Sequence, residues 1–155
     1  MTPLKVEARA EREIRITRGF RAPRRKVFEA FTKPDLVRRW LLGPGDWTMP
    51  TCEIDLRAGG AYRYVWRHPG KPDMGVSGTY REIQAPERIV HTEKFDESWY
   101  PGEAVITTEF AERGGETVMV MTILHESREA RDLALKSGMA DGMDQSFRKL
   151  EAVLG

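Results

Sequence analysis

Two ionisable residues two positions apart, His91 and Glu93, offer the clearest opportunity for chemistry in this chain. In a β-strand, residues i and i+2 point to the same face, and this phase is shared by the apolar Ile89 and Phe95. An imidazole and a carboxyl group on an apolar face would form the polar part of a cavity, where they could orient a ligand or transfer a proton. The alternative interpretation is that this face is the outer one and that water solvates both groups.

Motifs for metal binding or for well-known reactions are absent from the sequence. The other two histidines, His68 and His125, have no second His or Cys at the spacing of a zinc site. Neither a Gly-x-Ser-x-Gly element nor a phosphate-binding P-loop occurs. We therefore predict no metal and no cofactor, and the sequence alone leaves open whether the protein is an enzyme.

Large apolar side chains recur at strand and helix spacing. An aromatic stripe on one strand face could line a cavity and offer hydroxyl groups to a ligand, or it could belong to an ordinary core. Methionines four residues apart near the C-terminus suit variable ligands but also simply fill gaps. Together with His91 and Glu93, the candidate cavity residues are Trp40, Tyr62, Tyr64, Trp66, Tyr80, Phe95, Ile106, Phe110, Met139, Met143 and Phe147. Trp47 and Trp99 lie in predicted loops and could rim the mouth.

Composition narrows the class of protein. The length of 155 residues suits a single domain over 1–155, and 25 basic against 24 acidic residues leave a net charge of +1. We predict no nucleic-acid partner, because no large positive field exists. The single cysteine, Cys52, cannot form a disulfide within the chain, and neither a signal peptide nor an apolar run of membrane-spanning length is present. These features predict a cytoplasmic protein without a membrane span.

The elements that must position these residues can be read from periodicity. Residues 1–10 are predicted to be a loose N-terminal leader. Ile14 and Ile16 alternate with charged residues as in a half-buried strand, and Pro23 and Pro34 stand where two short helices begin. About six further strands follow, and their hairpin-length connections make them antiparallel.

The C-terminal region is predicted to be helical. Ser127 is a suitable N-cap, and Gly138 marks a kink or join. One face of the sheet needs cover, and this helix is the element long enough to supply it. A twisted sheet wrapped around one helix leaves a wedge between them, which is where a cavity would form.

Several segments resemble a known family. The chain resembles the helix-grip fold of the START-like, or SRPBCC, superfamily and, within it, the family of homologues of the activator of a heat-shock chaperone's ATPase. The resemblance covers about residues 12–154. It is carried by Arg21–Thr32, Pro34–Trp40, Gly59-Gly60 with Tyr62 and Tyr64, Gly78 and Tyr80 with the turn Pro86-Glu87-Arg88, and Gly138–Leu154.

The resemblance implies an α+β helix-grip fold, in which a curved antiparallel sheet of about six to seven strands wraps a long C-terminal helix. Members of the superfamily bind lipids, sterols, polyketides or hormones, and a few are cyclases or hydrolases. Our first hypothesis is binding of a small hydrophobic or amphipathic molecule between sheet and helix. The alternatives are a cyclase- or hydrolase-like enzyme using His91 and Glu93, and a co-chaperone-like interaction domain.

The co-chaperone alternative is the weaker one, because the chaperone activator pairs this domain with another for which the chain has no room. The sequence also leaves open a homodimer formed through the sheet.

Overall fold

The computed structural model describes residues 2–98 and 100–155, which form an eight-stranded antiparallel sheet and four helices. The strand order across the sheet is β1-β2-β8-β7-β6-β5-β4-β3. The elements in chain order are β1 (Lys5–Arg9), β2 (Glu13–Phe20), α1 (Arg24–Thr32), α2 (Pro34–Trp40), β3 (Thr48–Ile54), β4 (Ala61–Arg67), β5 (Met74–Gln84), β6 (Arg88–Phe95), β7 (Ala104–Arg113), β8 (Glu116–Leu124), α3 (Arg128–Lys136) and α4 (Met139–Leu154). The predicted α+β architecture is confirmed, with one strand more than the upper limit we expected.

The additional strand corrects the prediction of a loose leader over residues 1–10. Lys5–Arg9 pairs antiparallel with β2, and Val6 stands opposite Ile16. This strand lies at the edge of the sheet and is partly exposed. Leu4, Val6 and Ala8 do alternate with Lys5, Glu7 and Arg9, as a strand with one buried face should. The run is short, so this alternation did not by itself distinguish a strand from a loose leader.

The helices begin and end close to where the sequence predicts. Pro23 immediately precedes α1, and Pro34 is the first residue of α2. The Ser127 side chain accepts a hydrogen bond from the Ala130 backbone N–H at 3.0 Å and so caps α3. Gly138, with φ of 83°, separates α3 from α4, which resolves the predicted long helix into two. Within the described residues, no helix combines the length and hydropathy needed to cross a bilayer.

Helix α4 is held against the sheet by aromatic packing at one side. The Phe147 ring lies 5.6 Å from that of Phe20 on β2 and 5.9 Å from that of Trp40 on α2. The guanidinium of the buried Arg18 lies 4.7 Å above the Phe20 ring and 3.6 Å from the Glu151 carboxylate on α4. These contacts join β2, α2 and α4 into one compact region.

A glycine on β5 allows an aromatic side chain of β4 to lie over β5 and reach β6. Gly78 stands opposite Tyr62 in the β4–β5 pair. A Cβ atom at position 78 would lie 2.0 Å from the Thr92 carbonyl oxygen and 2.8 Å from the Tyr62 ring. The Tyr62 hydroxyl can therefore reach the Thr92 carbonyl, to which it donates a hydrogen bond of 2.7 Å.

Substituting Gly78→Ala should destabilise the protein, because the backbone carbonyl of Thr92 cannot move away cheaply. We expect a loss of ~1–3 kcal/mol in the free energy of unfolding, as for other overpacked interiors. Gly142→Ala is the matched control, since its Cβ would meet nothing closer than the Pro44 Cδ at 3.8 Å. In the helix interior that change should stabilise by ~0.5–1 kcal/mol. Urea unfolding measures both changes, and equal effects would contradict this account.

Candidate functional site

A cavity of about 370 Å³ lies between the inner face of the sheet and helices α2, α3 and α4. Its volume is within the range of small-molecule sites in proteins. The lining comes mainly from large apolar and aromatic side chains of β4 to β8 and of the helices. This composition favours an apolar occupant, because an apolar surface gives water few hydrogen-bonding partners.

The structure brings almost all the predicted candidate residues together. All of them except Phe110 line the cavity. Phe110 lies on the same face of β7 as Ile106 but outside the cavity lining. Its ring centroid lies 6.1 Å from that of Phe28 and 5.2 Å from that of Phe31, both on α1. It therefore belongs to the packing of α1 on the sheet. The prediction for Trp99 lies outside the described residues, whereas Trp47 does line the cavity.

His91 and Glu93 sit on the cavity side of β6, within a group that we call the polar cluster: Tyr62, His91, Glu93, Tyr100 and His125. Nδ1 of His91 lies 3.2 Å from the Tyr62 hydroxyl oxygen and 3.0 Å from the Thr92 carbonyl oxygen. The Tyr62 proton is already donated to the Thr92 carbonyl, so both neighbours of Nδ1 act as acceptors. Nδ1 therefore carries the proton, and Nε2 of the neutral ring is left as an acceptor.

The carboxyl group of Glu93 is held in an apolar setting. Burial raises its pKa to about 7, and the hydrogen bond that the Tyr100 hydroxyl donates to Oε1 at 3.2 Å opposes the rise only in part. Burial also lowers the pKa of His91. Near neutral pH the cavity therefore holds an uncharged imidazole and a carboxyl group that readily gains or loses a proton.

Sequence reasoning missed His125 and Tyr100. His125 is only 2% exposed, and neither of its ring nitrogens has a hydrogen-bond partner among the described residues. Its ring meets that of Tyr100 edge to face at 4.8 Å, and burial, aided by Arg131, lowers its pKa. His125 continues the phase of Met121 and Ile123 on β8, and that signal could have identified it. Tyr100 lies in a loop, where no periodicity could.

A loop between α2 and β3 closes one side of the cavity. The Gly43 backbone N–H donates to Oγ of Ser146 at 2.8 Å, and Nζ of Lys149 donates to the Gly43 carbonyl at 3.0 Å. The Trp66 indole N–H donates to the Leu41 carbonyl at 2.7 Å. These bonds attach the loop to α4 and β4, so the cavity wall has defined geometry. Within the described part of the chain, no group of three or more His, Cys, Asp and Glu side chains could hold a metal ion.

Replacing Glu93 with glutamine isolates the effect of its carboxyl group on stability. The folded pKa of about 7 exceeds the ordinary value of 4.5, so between these pH values the folded state binds more protons than the unfolded state. The stabilisation that Glu93 contributes is complete below the ordinary pKa of a glutamate. It is lost as the pH rises through the pKa of Glu93 in the folded state. Relative to Glu93→Gln, the wild type should lose ~1–3 kcal/mol of unfolding free energy over this range. Urea unfolding at each pH measures the difference.

The histidines act in the opposite direction and cancel in this comparison. The pKa values of His91 and His125 are lowered, so their contribution is present above the ordinary histidine pKa and is lost as the pH falls. Both are retained in the variant. Parallel stability curves for the two proteins would show that Glu93 titrates as an ordinary exposed carboxyl group.

Solved structures share this architecture. A crystal structure of a protein from Rhodobacter sphaeroides is 29% identical, with a TM-score of 0.91 and coverage of 97% of both chains. A crystal structure of a protein from Mycobacterium smegmatis is 20% identical, with a TM-score of 0.87 and coverage of 99% of this chain and 98% of that one. A crystal structure described as an HSP90 activator from Plasmodium falciparum is 22% identical, with a TM-score of 0.67 and coverage of 93% and 96%.

The similarity to the Mycobacterium smegmatis and Plasmodium falciparum structures shows the fold alone, because the sequence identities are 20% and 22%. No curated protein matches the chain. The family model described as activator of Hsp90 ATPase homolog 1-like protein matches residues 21–155. With nearly the whole chain matched and the fold shared, this protein belongs to that family.

Proposed function

We propose that the protein binds a small hydrophobic or amphipathic molecule in the cavity between its sheet and helix α4. The observation that carries this proposal is a partly open cavity of about 370 Å³ whose lining is mostly apolar and aromatic. Side chains packed to normal interior density leave few voids larger than one water molecule. A space of this size corresponds to roughly a dozen waters at about 30 Å³ each, so it is not a packing defect.

Filling the cavity with an apolar molecule should be favourable. Each Å² of apolar surface removed from water contributes about 25 cal/mol, and aromatic walls offer additional contact energy to a ring system. The polar cluster supplies the few directional groups that small-molecule sites use to fix orientation. The site thus combines a large apolar wall with a small polar region, which suits an amphipathic ligand.

Enzymatic activity is a second candidate, and the carboxyl group of Glu93 favours it. A general acid or base works best when its pKa is close to the working pH, and the pKa of Glu93 is about 7. Both Glu93 and His91 face the cavity. If the protein has a hydrolase-like role, the wild type should hydrolyse naphthyl esters and the Glu93→Gln variant should not. Equal hydrolysis rates for the two proteins would exclude this role.

A chaperone partner is a third candidate. It is suggested by the family description and by the Plasmodium falciparum structure described as an HSP90 activator. Pull-down with the chaperone's middle domain, together with a measurement of its ATPase rate, tests this role. Absence of both binding and stimulation would exclude it. For each candidate we propose a cytoplasmic location, because the one cysteine, Cys52, is a buried free thiol.

Substituting Ile106→Trp should fill part of the cavity from β7 and weaken ligand binding. Titration with the uncharged fluorescent dye N-phenyl-1-naphthylamine should show saturable binding to the wild type, weakened at least about tenfold in the variant, equivalent to ~1.4 kcal/mol. Thr107→Trp is the matched control, because Thr107 does not line the cavity and is adjacent on the same strand. It should bind the dye as the wild type does.

Native mass spectrometry of the purified protein with a panel of apolar compounds provides a second measurement. Two results would contradict the proposal: no saturable dye binding by the wild type, or equal weakening by both tryptophan substitutions.

A further inference from the structure

The charges around the cavity restrict the ligand further, on the premise that the proposed function is correct. Among the described residues that line it, none is a lysine or an arginine. Its ionisable groups, apart from tyrosines, are Glu93, His91 and His125. The cavity therefore contains an acid and two imidazoles with lowered pKa values, but no permanent positive charge.

The hydrogen-bonding groups of the polar cluster are mainly acceptors toward the cavity. The Tyr62 and Tyr100 hydroxyl groups already donate to the Thr92 carbonyl and to Glu93. Nε2 of His91 is an acceptor, and the carboxyl group of Glu93 has further acceptor capacity. An incoming group that donates hydrogen bonds would thus find acceptors in this cluster. A carboxylate or phosphate would find neutral donors, such as the hydroxyl groups of Tyr80 and Ser146, but no positively charged side chain in the described lining.

His125 adds an independent observation that points to a ligand. Both of its ring nitrogens are buried and lack a partner among the described residues, although the ring lines the cavity. An unpaired buried polar group costs about 1–3 kcal/mol. A neutral imidazole presents one donor and one acceptor. Both nitrogens are shielded from the cavity space in this conformation, so a hydroxyl or amine group of a ligand would satisfy them only after the ring turns.

Nearby positive charges do not line this cavity among the described residues, and that of Lys149 is bonded to the Gly43 carbonyl in its wall at 3.0 Å. Arg131, whose charge acts on His125, donates to Asp132 at 2.7 Å and to the backbone carbonyls of Ala10 and Glu13 at 3.4 and 3.3 Å. Two further arginines belong to a separate hollow of about 210 Å³ that adjoins His125. That hollow is lined by Arg12, Arg81, Glu103, Val105, Leu124, His125 and Glu126. Arg81 lies 4.0 Å from the Glu103 carboxylate, and Arg12 donates to the His125 backbone carbonyl at 3.4 Å. Neither arginine lines the main cavity.

We infer that the ligand is an amphipathic molecule whose head group is neutral or positively charged and donates hydrogen bonds, with Glu93 as its principal acceptor. Burying an anion here would leave its charge uncompensated, which is costly in an apolar setting. A cation would instead face Glu93 and the surrounding aromatic rings, whose faces attract positive charge. The cavity should consequently reject fatty-acid-like carboxylates and organic phosphates.

Three compounds with the same ring system test this inference: 2-naphthylmethylamine, 2-naphthalenemethanol and 2-naphthoate. Calorimetric titration of the intact protein near neutral pH measures the dissociation constant of each. We expect the amine and the alcohol to bind at least about tenfold tighter than the carboxylate. Their shared naphthalene body means that the difference reports on the head group alone.

Two variants locate the selectivity. Glu93→Gln keeps the shape of the side chain but removes its charge, so amine affinity should fall about tenfold, alcohol affinity should change less than about threefold, and carboxylate affinity should stay the same or rise. Glu97→Gln is the control, because Glu97 is exposed and lies outside the cavity. It should bind all three compounds as the wild type does.

The outcomes separate this inference from the proposed function. If the carboxylate binds as tightly as the amine and the alcohol, the inferred selectivity is wrong and the ligand-binding function stands. If Glu93→Gln leaves amine binding unchanged, the role of Glu93 is wrong. If the wild type binds none of the three compounds and also fails to bind N-phenyl-1-naphthylamine, both the inference and the proposed function are wrong.

Discussion

The packing of Phe147 between Phe20 and Trp40 is the contact on which the rest of this structure depends. It fixes α4 beside β2 and α2, with the Arg18–Glu151 ion pair alongside. The strands farther across the sheet then face α4 over a gap, because one helix cannot follow the twist of eight strands along its whole length. The close contact at one side and the cavity at the other are two consequences of the same geometry.

Desolvation governs the chemistry of that cavity. The same apolar walls that would hold a ligand raise the pKa of Glu93 and lower those of His91 and His125. Each shift moves its group toward the uncharged form, since an unpaired charge is costly where water is scarce. The site is therefore nearly neutral when empty, and Glu93 is the group most able to respond to the charge of what enters.

Family membership and site geometry answer different questions. The family model and the shared fold establish what kind of domain this is, but a fold hosts many functions. Function is better argued from the polar cluster, where Tyr100 links Glu93 to His125 by a hydrogen bond and a ring contact. The absence of Lys and Arg among the described lining residues makes this argument specific to head-group charge.

The sequence by itself determined most of the helices and strands and which residues of each share a face. Period-two alternation predicted that His91 and Glu93 share a face with Phe95, and turn residues predicted where most strands end, because these signals are local. The short alternation in β1 did not distinguish a strand from a loose leader, and its pairing with β2 decided its structure. Only the tertiary structure decided that this face of β6 points inward, that Phe110 packs on α1, and that Tyr100 contacts both Glu93 and His125. Those outcomes depend on contacts between segments distant in the chain, and no local pattern encodes such contacts.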